Sequence, residues 1–260
     1  MINFKREQGW LAGEVVYFEE TGSTNVEAAQ LAAKGSGHGT LVIADTQTAG
    51  KGRRGRDWHT PRGTSIAMSI ILKPQMEAEH ASMLTLVQAM AVARALEDVS
   101  GLKAQIKWPN DILLNEKKVC GILTEMHLEG SKISSIIIGT GINVNQEDFP
   151  REIADIATSI KREVGVAVSR EELIEKICEY FEKYYDKFMQ AKDLSDIMGE
   201  YNVRLISTGR RVRVLDPKKE FMGEALGINP LGELLVKRED GHVINVYAGE
   251  VSVRGIYGYV

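Results

Sequence analysis

Between Lys51 and Arg56 four of six residues are cationic, and the other two, Gly52 and Gly55, have no side chain to keep a ligand from the backbone amides. Such a run suits a polyanion. It lies within Gln47-Thr48-Ala49-Gly50-Lys51-Gly52-Arg53-Arg54-Gly55-Arg56-Asp57-Trp58, which follows a short apolar run, Leu41 to Ala44, that reads as a buried strand. Gly50-x-Gly52-x-x-Gly55 has the spacing of a dinucleotide fingerprint, but that motif needs a helix opening at its last glycine, and Asp57-Trp58-His59-Thr60-Pro61 supplies none. A P-loop is excluded too, since no Gly-x-x-x-x-Gly-Lys-Ser/Thr occurs. Taken alone, the loop is a solvated basic turn, a patch for nucleic-acid backbone, or a built phosphate or carboxylate site.

The rest of the chain weighs between these. Its 260 residues carry a formal charge of −4, with 43% apolar and 26% charged residues. Proteins that coat nucleic acid are usually basic overall, so the cationic loop is a local feature on a mildly acidic background. The length suggests one large domain and one small one. Cys120 and Cys178 are the only cysteines and form no Cys-x-x-Cys pair, which removes a disulfide framework and a thiolate zinc site. The N-terminus lacks an apolar core of signal-peptide length, and no apolar run is long enough to span a bilayer, so a cytoplasmic location is expected.

The elements that must position the loop can be read from period and punctuation. Residues 14 to 19 form a first strand. Ser23-Thr24-Asn25 then opens a helix, with Thr24 and Glu27 at capping-box spacing; three adjacent hydrogen-bonding side chains at a helix N-terminus also suit a polar ligand. Ser65 to Leu72 alternates small and large residues as a central strand would, and Leu84, Val87, Ala91, Ala95 and Val99 mark a long helix over 81–99 that packs on the sheet. Gln105 to Leu114 and Glu116 to Met126 read as two strands joined by a polar turn, with Pro109 breaking the first at a bulge or edge that aims Lys107 or Asn110 into a site. A further hairpin turns at Glu129-Gly130-Ser131 and runs into Gly139-Thr140-Gly141-Ile142-Asn143, where two glycines in a strand mark a close approach.

Residues 146 to 168 have no clear period. Ser169 and Glu172 form another capping box, opening a helix with the stripe Leu173, Ile177, Phe181, Tyr184 and Phe188. Cys178 beside that stripe is expected to be a buried hydrophobe. After a linker at Val203 to Thr208 come five short strands, 211–215, 221–228, 234–237, 242–246 and 251–254, with turns at Asp216-Pro217, Asn229 to Gly232 and Asp240-Gly241. That pattern predicts a small separate barrel.

Together, Ser23-Thr24-Asn25, Gln47 to Arg56 with Trp58, Lys107-Trp108-Pro109-Asn110-Asp111, Lys118-x-x-Gly121 and Gly139-x-Gly141-Ile142-Asn143 resemble the biotin protein ligases in order and spacing. The resemblance implies an α+β fold. A catalytic domain over 1–205, a mixed β-sheet flanked by helices and similar to class II aminoacyl-tRNA synthetases, would precede an SH3-like β-barrel over 206–260. It also implies ATP-dependent transfer of biotin, through biotinyl-5'-AMP, to a lysine of a biotin carboxyl carrier protein such as the acetyl-CoA carboxylase subunit. Setting biotin's carboxylate against a triphosphate costs ~4 kcal/mol per pair of unit charges at contact in an intermediate dielectric, which fixed cations must offset.

By the family's pattern Ser23, Thr24, Asn25 and Gln47 would hold the biotin rings, with Gly50, Gly121, Gly139 and Gly141 also at the biotin site. Lys51, Gly52 and Arg53 would close over the valeryl chain and carboxylate. Arg53, Arg54 and Arg56 would meet phosphate, Trp58 the adenine face, Asn143 the base edge, and Asn110 the nucleotide. Lys107 and Lys118 would add charge, Lys118 nearest the carboxylate and α-phosphate, so Lys118, Arg53 and Lys107 are the expected catalytic residues. The five histidines have no ligand spacing, so no protein metal ligands are assigned beyond any that meet Mg2+ carried by ATP.

Two departures bear on this reading. Lys51 stands where an arginine is common, which keeps charge but loses the bidentate fork. The segment before Ser23 is too short for a winged helix-turn-helix, so an enzyme without operator binding is expected, as a monomer or homodimer contacting neither nucleic acid nor membrane. The nearest rival is a lipoate ligase of the same superfamily; the rival of another class is a nucleic-acid module.

If Lys118 to Ile122 is a strand, Lys117 and Lys118 face opposite sides and only one can enter a cleft. The family pattern selects Lys118. Lys118→Ala should therefore cut biotin-dependent pyrophosphate release by orders of magnitude, a transition-state charge partner being worth ~3 kcal/mol or more, while Lys117→Ala should be nearly silent. The reverse result would mean a register slipped by one.

Overall fold

The computed structural model describes residues 2–215, 220–248, 252–255 and 260. Its first half is built on a mixed seven-stranded sheet: β1 (Val15–Thr21), β2 (Leu41–Gln47), β3 (Ser65–Leu72), β4 (Gln105–Lys107), β5 (Asp111–Leu114), β6 (Lys117–Glu129) and β7 (Lys132–Asn143), in the order β1-β2-β3-β7-β6-β5-β4. Only β1 and β2 run parallel, and the crossover that a parallel pair requires is α1 (Thr24–Ala33). Elsewhere tight hairpins suffice. Asn115 and Glu116, both with positive φ, make the two-residue turn between β5 and β6, and Gly130 at φ 63° helps turn β6 into β7.

Register decides what each sheet face can hold. Met68 pairs with Thr140, Ser69 with Gly139 and Ile70 with Ile138, so large and small residues alternate together across β3 and β7. The large face, with Leu41, Ile43, Met68, Ile70 and Ile138, packs into the main core with α2 (Met83–Ser100) and α4 (Arg170–Ala191). The other face carries Ala67, Ser69, Gly139 and Gly141 at one end, and at the other Val42, Ile71 and Ile137, which Ala28 and Ala32 of α1 cover. One end of that face is packed; its other end is floored with small residues.

Local signals located most elements. The Ser169 hydroxyl accepts from Glu172 N at 3.1 Å and opens α4, whose stripe from Leu173 to Phe188 is buried. Both cysteines are buried, and burial pushes the Cys178 thiol up to about 12, which leaves it a packing residue. Two other expectations need correction. Residues 105–114 form a hairpin in which Ile106 pairs with Ile112 and Lys107 with Asp111; Trp108-Pro109-Asn110 is its turn, not a bulge within one strand. The indole of Trp108 is buried there and donates to Gly232 O at 3.0 Å. Thr24 and Glu27 do not form a capping box, because Ser23 is the N-cap and makes no side-chain cap bond, while Glu27 accepts from Thr21 Oγ1 at 2.7 Å.

Two helices carried too little signal to be expected. α3 (Ile160–Val164) is little more than one turn, and α5 (Ser195–Arg204) begins at Leu194 without a side-chain cap. The expected linker is itself anchored, Ile206 N donating to Ile106 O at 3.0 Å. Beyond it β8 (Arg211–Leu215), β9 (Phe221–Ile228), β10 (Leu234–Lys237), β11 (Val243–Val246) and β12 (Ser252–Gly255) form an antiparallel sheet ordered β11-β10-β9-β8-β12. The Asp216-Pro217 turn and Val251 lie outside the described residues.

One buried ion pair ties the sheet to α4. Asp45 on β2 accepts from Arg170 at 2.8 Å and from Tyr17 on β1 at 2.8 Å, and Arg170 also donates to Ser65 O of β3 at 3.2 Å. Burial acts to raise the Asp45 pKa, but the bonds from Tyr17 and Arg170 outweigh it and hold the carboxyl below its ordinary value. Asp45→Ala should lose ~3–5 kcal/mol at neutral pH in urea unfolding, since Arg170 would be left buried without its carboxylate. The unaltered protein should lose this contribution as pH falls from about 4 through the depressed folded value. An unchanged urea midpoint in Asp45→Ala would refute this assignment.

Candidate active site

A cleft opens over the small-residue end of the sheet, where the N-terminus of α1, the end of β2, the basic loop, Asn110, β6 and β7 converge. Its closed end is polar. Thr24 N donates to Gln47 Oε1 at 2.8 Å, Thr24 Oγ1 lies 3.0 Å from the same oxygen, and Gln47 Nε2 donates to Thr60 Oγ1 at 3.3 Å. Ser23 and Asn25 join Thr24 and Gln47 in the lining, all three α1-terminal residues being buried. The Thr24 hydroxyl that a capping box would have claimed faces Gln47 and Ser69 instead.

The floor is glycine because side chains from elsewhere occupy the space a Cβ would need. A Cβ on Gly139 would overlap the Asn25 amide, and one on Gly141 would overlap the Trp58 indole. Gly121 completes the floor, with Trp58 above it and the Lys118 ammonium 5.4 Å from the centre of the Trp58 ring. The Trp58 N–H is buried and finds no acceptor among the described residues.

The basic loop is folded on itself. Trp58 N donates to Gly50 O at 2.9 Å and Gly52 N to Arg56 O at 2.7 Å, the backbones of Lys51 and Asp57 form an isolated antiparallel bridge, and Arg53–Gly55 make a single 3-10 turn with Arg54 at φ 60°. This geometry divides the cations. Arg53 turns inward, donating to Asn110 Oδ1 at 2.9 Å and to Ala248 O of the C-terminal segment at 2.8 Å. Burial lowers its pKa, Asp111 acts against that, and Arg54 and Arg56 add to it. Lys51 and Gly52 line the cleft beside Arg53, whereas Gly50 lies behind Trp58, and Arg54 and Arg56 point outward to solvent.

A second cation in the lining is linked to Arg53 through Asn110 and Asp111. Lys118 Nζ is 2.7 Å from Asp111 Oδ1, and Asn110 Nδ2 donates to the same oxygen at 3.1 Å. Lys118 lines the cleft and Lys117 does not, as strand alternation requires. Lys107 lies outside the lining. Burial lowers its pKa to about 8, with Asp111 opposing and the charges of Lys118, Arg254 and Arg56 assisting. Asn143 is also outside, buried on β7 and donating to Thr158 O at 3.0 Å.

Three residues matter here that sequence reasoning did not single out. Asp111 was the unassigned last member of the Lys107–Asp111 motif; Ser69 was one small residue of an alternating strand; Glu125 had no local signal at all. Ser69 is 2.8 Å from Thr24 Oγ1, and Glu125 accepts from Asn25 Nδ2 at 2.6 Å. Among the described residues no group of three or more histidine, cysteine, aspartate or glutamate side chains could hold a metal ion. The arrangement suits a molecule with a small neutral hydrogen-bonding head and an anionic tail, the head toward Gln47 and the tail between Arg53 and Lys118.

Comparison with known proteins agrees with this geometry. A model of the biotin/lipoate A/B protein ligase family matches residues 17–143, and one of the biotin protein ligase C-terminal domain matches residues 208–254. The chain is 39% identical over 255 residues to the bifunctional ligase/repressor BirA of Bacillus subtilis (strain 168), covering 97% of this chain and 78% of that protein. It is 33% identical over 240 residues to the biotin–[acetyl-CoA-carboxylase] ligase of Paracoccus denitrificans, covering 90% and 98%. The structure of a biotin protein ligase from Aquifex aeolicus in complex with biotin and ATP superposes with a TM-score of 0.81 at 30% identity, covering 93% and 99% of the two chains.

The lowered Lys107 pKa gives a test of its part in the site. As pH rises through about 8, Lys107 passes from cation to amine, and affinity for an anionic ligand should fall. A hydrogen bond to a charged group contributes ~1.5–3 kcal/mol, so the fall should be roughly tenfold or more. Lys107→Arg should flatten the profile. Triphosphate affinity that stays constant across this pH range in the unaltered protein would remove Lys107 from the site.

Proposed function

The chain belongs to the biotin protein ligases, and from that premise we propose that it catalyses ATP-dependent biotinylation of one lysine on a biotin carboxyl carrier protein, through biotinyl-5'-AMP. What carries the reading is the cleft's polarity. Its closed end offers hydroxyl and amide groups around Thr24 and Gln47, and its lining also holds two cations, Arg53 and Lys118, joined through Asn110 and Asp111. A urea-headed acid with a four-carbon arm presents the complementary groups in that order.

The chemistry balances with no nucleophile from the enzyme. An oxygen of biotin's carboxylate bonds to the α-phosphorus of ATP, the bond to the β-phosphate oxygen breaks, and pyrophosphate leaves. The amine of the carrier lysine then bonds to the acyl carbon, AMP leaves with the electron pair of the broken bond, and the amine releases a proton. The first step brings anion to anion, so its barrier is electrostatic and positional. Lys118 and Arg53 neutralise the converging carboxylate and α-phosphate; Lys51 and Gly52 close over the arm; Ser23, Thr24, Asn25 and Gln47 fix the head. Trp58 offers its ring to adenine, Asn110 sits beside the nucleotide, and Lys107 supports the field from behind.

Arg54 and Arg56, exposed on the loop, meet phosphate from the solvent side, and Asn143, while donating one N–H to Thr158 O, keeps its Oδ1 and second N–H for the base edge. Mg2+ enters with the triphosphate as part of the substrate. Residues 1–205 act as the catalytic domain and 206–260 as the C-terminal domain, and the enzyme works in the cytoplasm, where its carrier is made. Contact with the carrier is modest, since each carrier must leave once modified.

The experiment is pyrophosphate release from ATP with biotin, lipoate or octanoate supplied separately. Release with biotin alone is expected. Release with lipoate and none with biotin would overturn the proposal.

A further inference from the structure

From the exposed surface of β6 to the closed end of the cleft runs one connected chain of hydrogen bonds. Asn25 Nδ2 donates to Glu125 Oε2 at 2.6 Å. Ser69 Oγ lies 2.7 Å from Asn25 Oδ1 and 2.8 Å from Thr24 Oγ1. Thr24 and Gln47 follow, Gln47 Oε1 accepting from Thr24 N at 2.8 Å. Neither Glu125 nor Ser69 is part of the cleft lining, and neither takes part in the two chemical steps.

Counting protons gives the chain a direction. An ionised carboxylate only accepts, so Asn25 must turn its NH2 toward Glu125 and its oxygen toward Ser69. An amide oxygen cannot donate, so the single proton of Ser69 must lie toward Asn25. That leaves Ser69 Oγ as an acceptor. The Thr24 hydroxyl has two acceptors in reach, Ser69 Oγ at 2.8 Å and Gln47 Oε1 at 3.0 Å, and Gln47 Oε1 already has the Thr24 N–H, so the proton lies toward Ser69, the nearer of the two. Two groups remain for the cleft: lone pairs on Thr24 Oγ1, and the Gln47 Nε2 hydrogen not directed at Thr60. The wall thus shows an acceptor beside a donor. The complement is an N–H beside a C=O, as in a cyclic urea.

We propose that Glu125 and Ser69 are positioning residues that fix the hydrogen-bond polarity of the Thr24–Gln47 wall and thereby select a cyclic urea over a cyclic guanidine. The proposal rests on the reading that biotin's head occupies this end of the cleft. Gly139 assists, because the Asn25 amide fills the space its Cβ would take and is held close against the strand. Without the carboxylate at the outer end, Asn25 Nδ2 keeps only its longer 3.4 Å bond to Leu123 O, and the amide turns over more readily. Every hydroxyl inward can then reverse, and the wall loses its single polarity.

Glu125→Gln is the decisive variant, because glutamine matches the size of glutamate but can donate as well as accept. Glu125 is exposed, so the fold should survive, and an unchanged melting temperature checks this. The KM for biotin should rise about fivefold to tenfold, the effect of one hydrogen bond, with kcat and the KM for ATP little changed. Preference for biotin over 2-iminobiotin, in kcat/KM, should fall by a similar factor. In a Ser69→Ala background, where the chain is already cut, adding Glu125→Gln should change neither quantity further.

Glu125→Gln with an unaltered biotin KM and unaltered preference would overturn the proposal, as would equal losses in kcat and in both KM values. Full additivity with Ser69→Ala would overturn it too. If the unaltered protein releases no pyrophosphate with biotin, the functional reading itself fails and takes this inference with it; if it does and the variants behave as the unaltered protein, only the inference fails.

Discussion

Several cations must be held together at one point before any anion arrives, and Asp111 is the group that makes this possible. Its carboxylate binds Lys118 at 2.7 Å and its charge also favours the cationic forms of Lys107 and Arg53. Without it, burying these side chains around a cleft would set like charges together in a medium that screens them poorly. Burial still shows in Lys107, brought down to about 8. The site is therefore strained toward accepting negative charge, which is what a reaction between a carboxylate and a triphosphate requires.

That arrangement depends on a sheet with two unlike faces. One face packs Leu41, Met68, Ile70 and Ile138 against α2 and α4. The other keeps Ser69, Gly139 and Gly141 small, so that Asn25 from α1 and Trp58 from the basic loop can lie close to the backbone. Exchanging the faces by a slip of one residue would bury the cleft and expose the core. The parallel β1–α1–β2 unit contributes as well, since it brings Thr24 at the start of α1 against Gln47 at the end of β2.

The C-terminal strands are joined to this machinery through the same motif that carries its charge. Trp108 donates to Gly232 O, Arg53 donates to Ala248 O, and Ile206 binds Ile106. Lys107, Trp108, Asn110 and Asp111 therefore sit on one hairpin that faces the cleft on one side and the second sheet on the other. The position of the second sheet bears on how Arg53 is presented.

The sequence by itself determined what local physics controls. Alternation located β3, and strand-like runs bounded by the turns Asn115-Glu116 and Glu129-Gly130-Ser131 located β6 and β7; the Ser169 cap and its apolar stripe located α4; and the cationic loop announced a partner of opposite charge. Strand period allowed only one of Lys117 and Lys118 into the cleft, and the resemblance to the biotin protein ligases selected Lys118, which does line it. Tertiary structure alone decided which long-range partner each polar group takes. Thr24 and Glu27 have capping-box spacing, yet Glu27 serves Thr21 while Thr24 meets Gln47 and Ser69 from two different strands. Arg53, Arg54 and Arg56 are alike as letters, but one 3-10 turn sends the first inward and leaves the other two in solvent. Glu125 lies 100 residues from Asn25, and no pattern in the chain links them. Period and turn chemistry act over a few residues and so can be read from the letters; a hydrogen bond between distant strands exists only after the sheet has set their register.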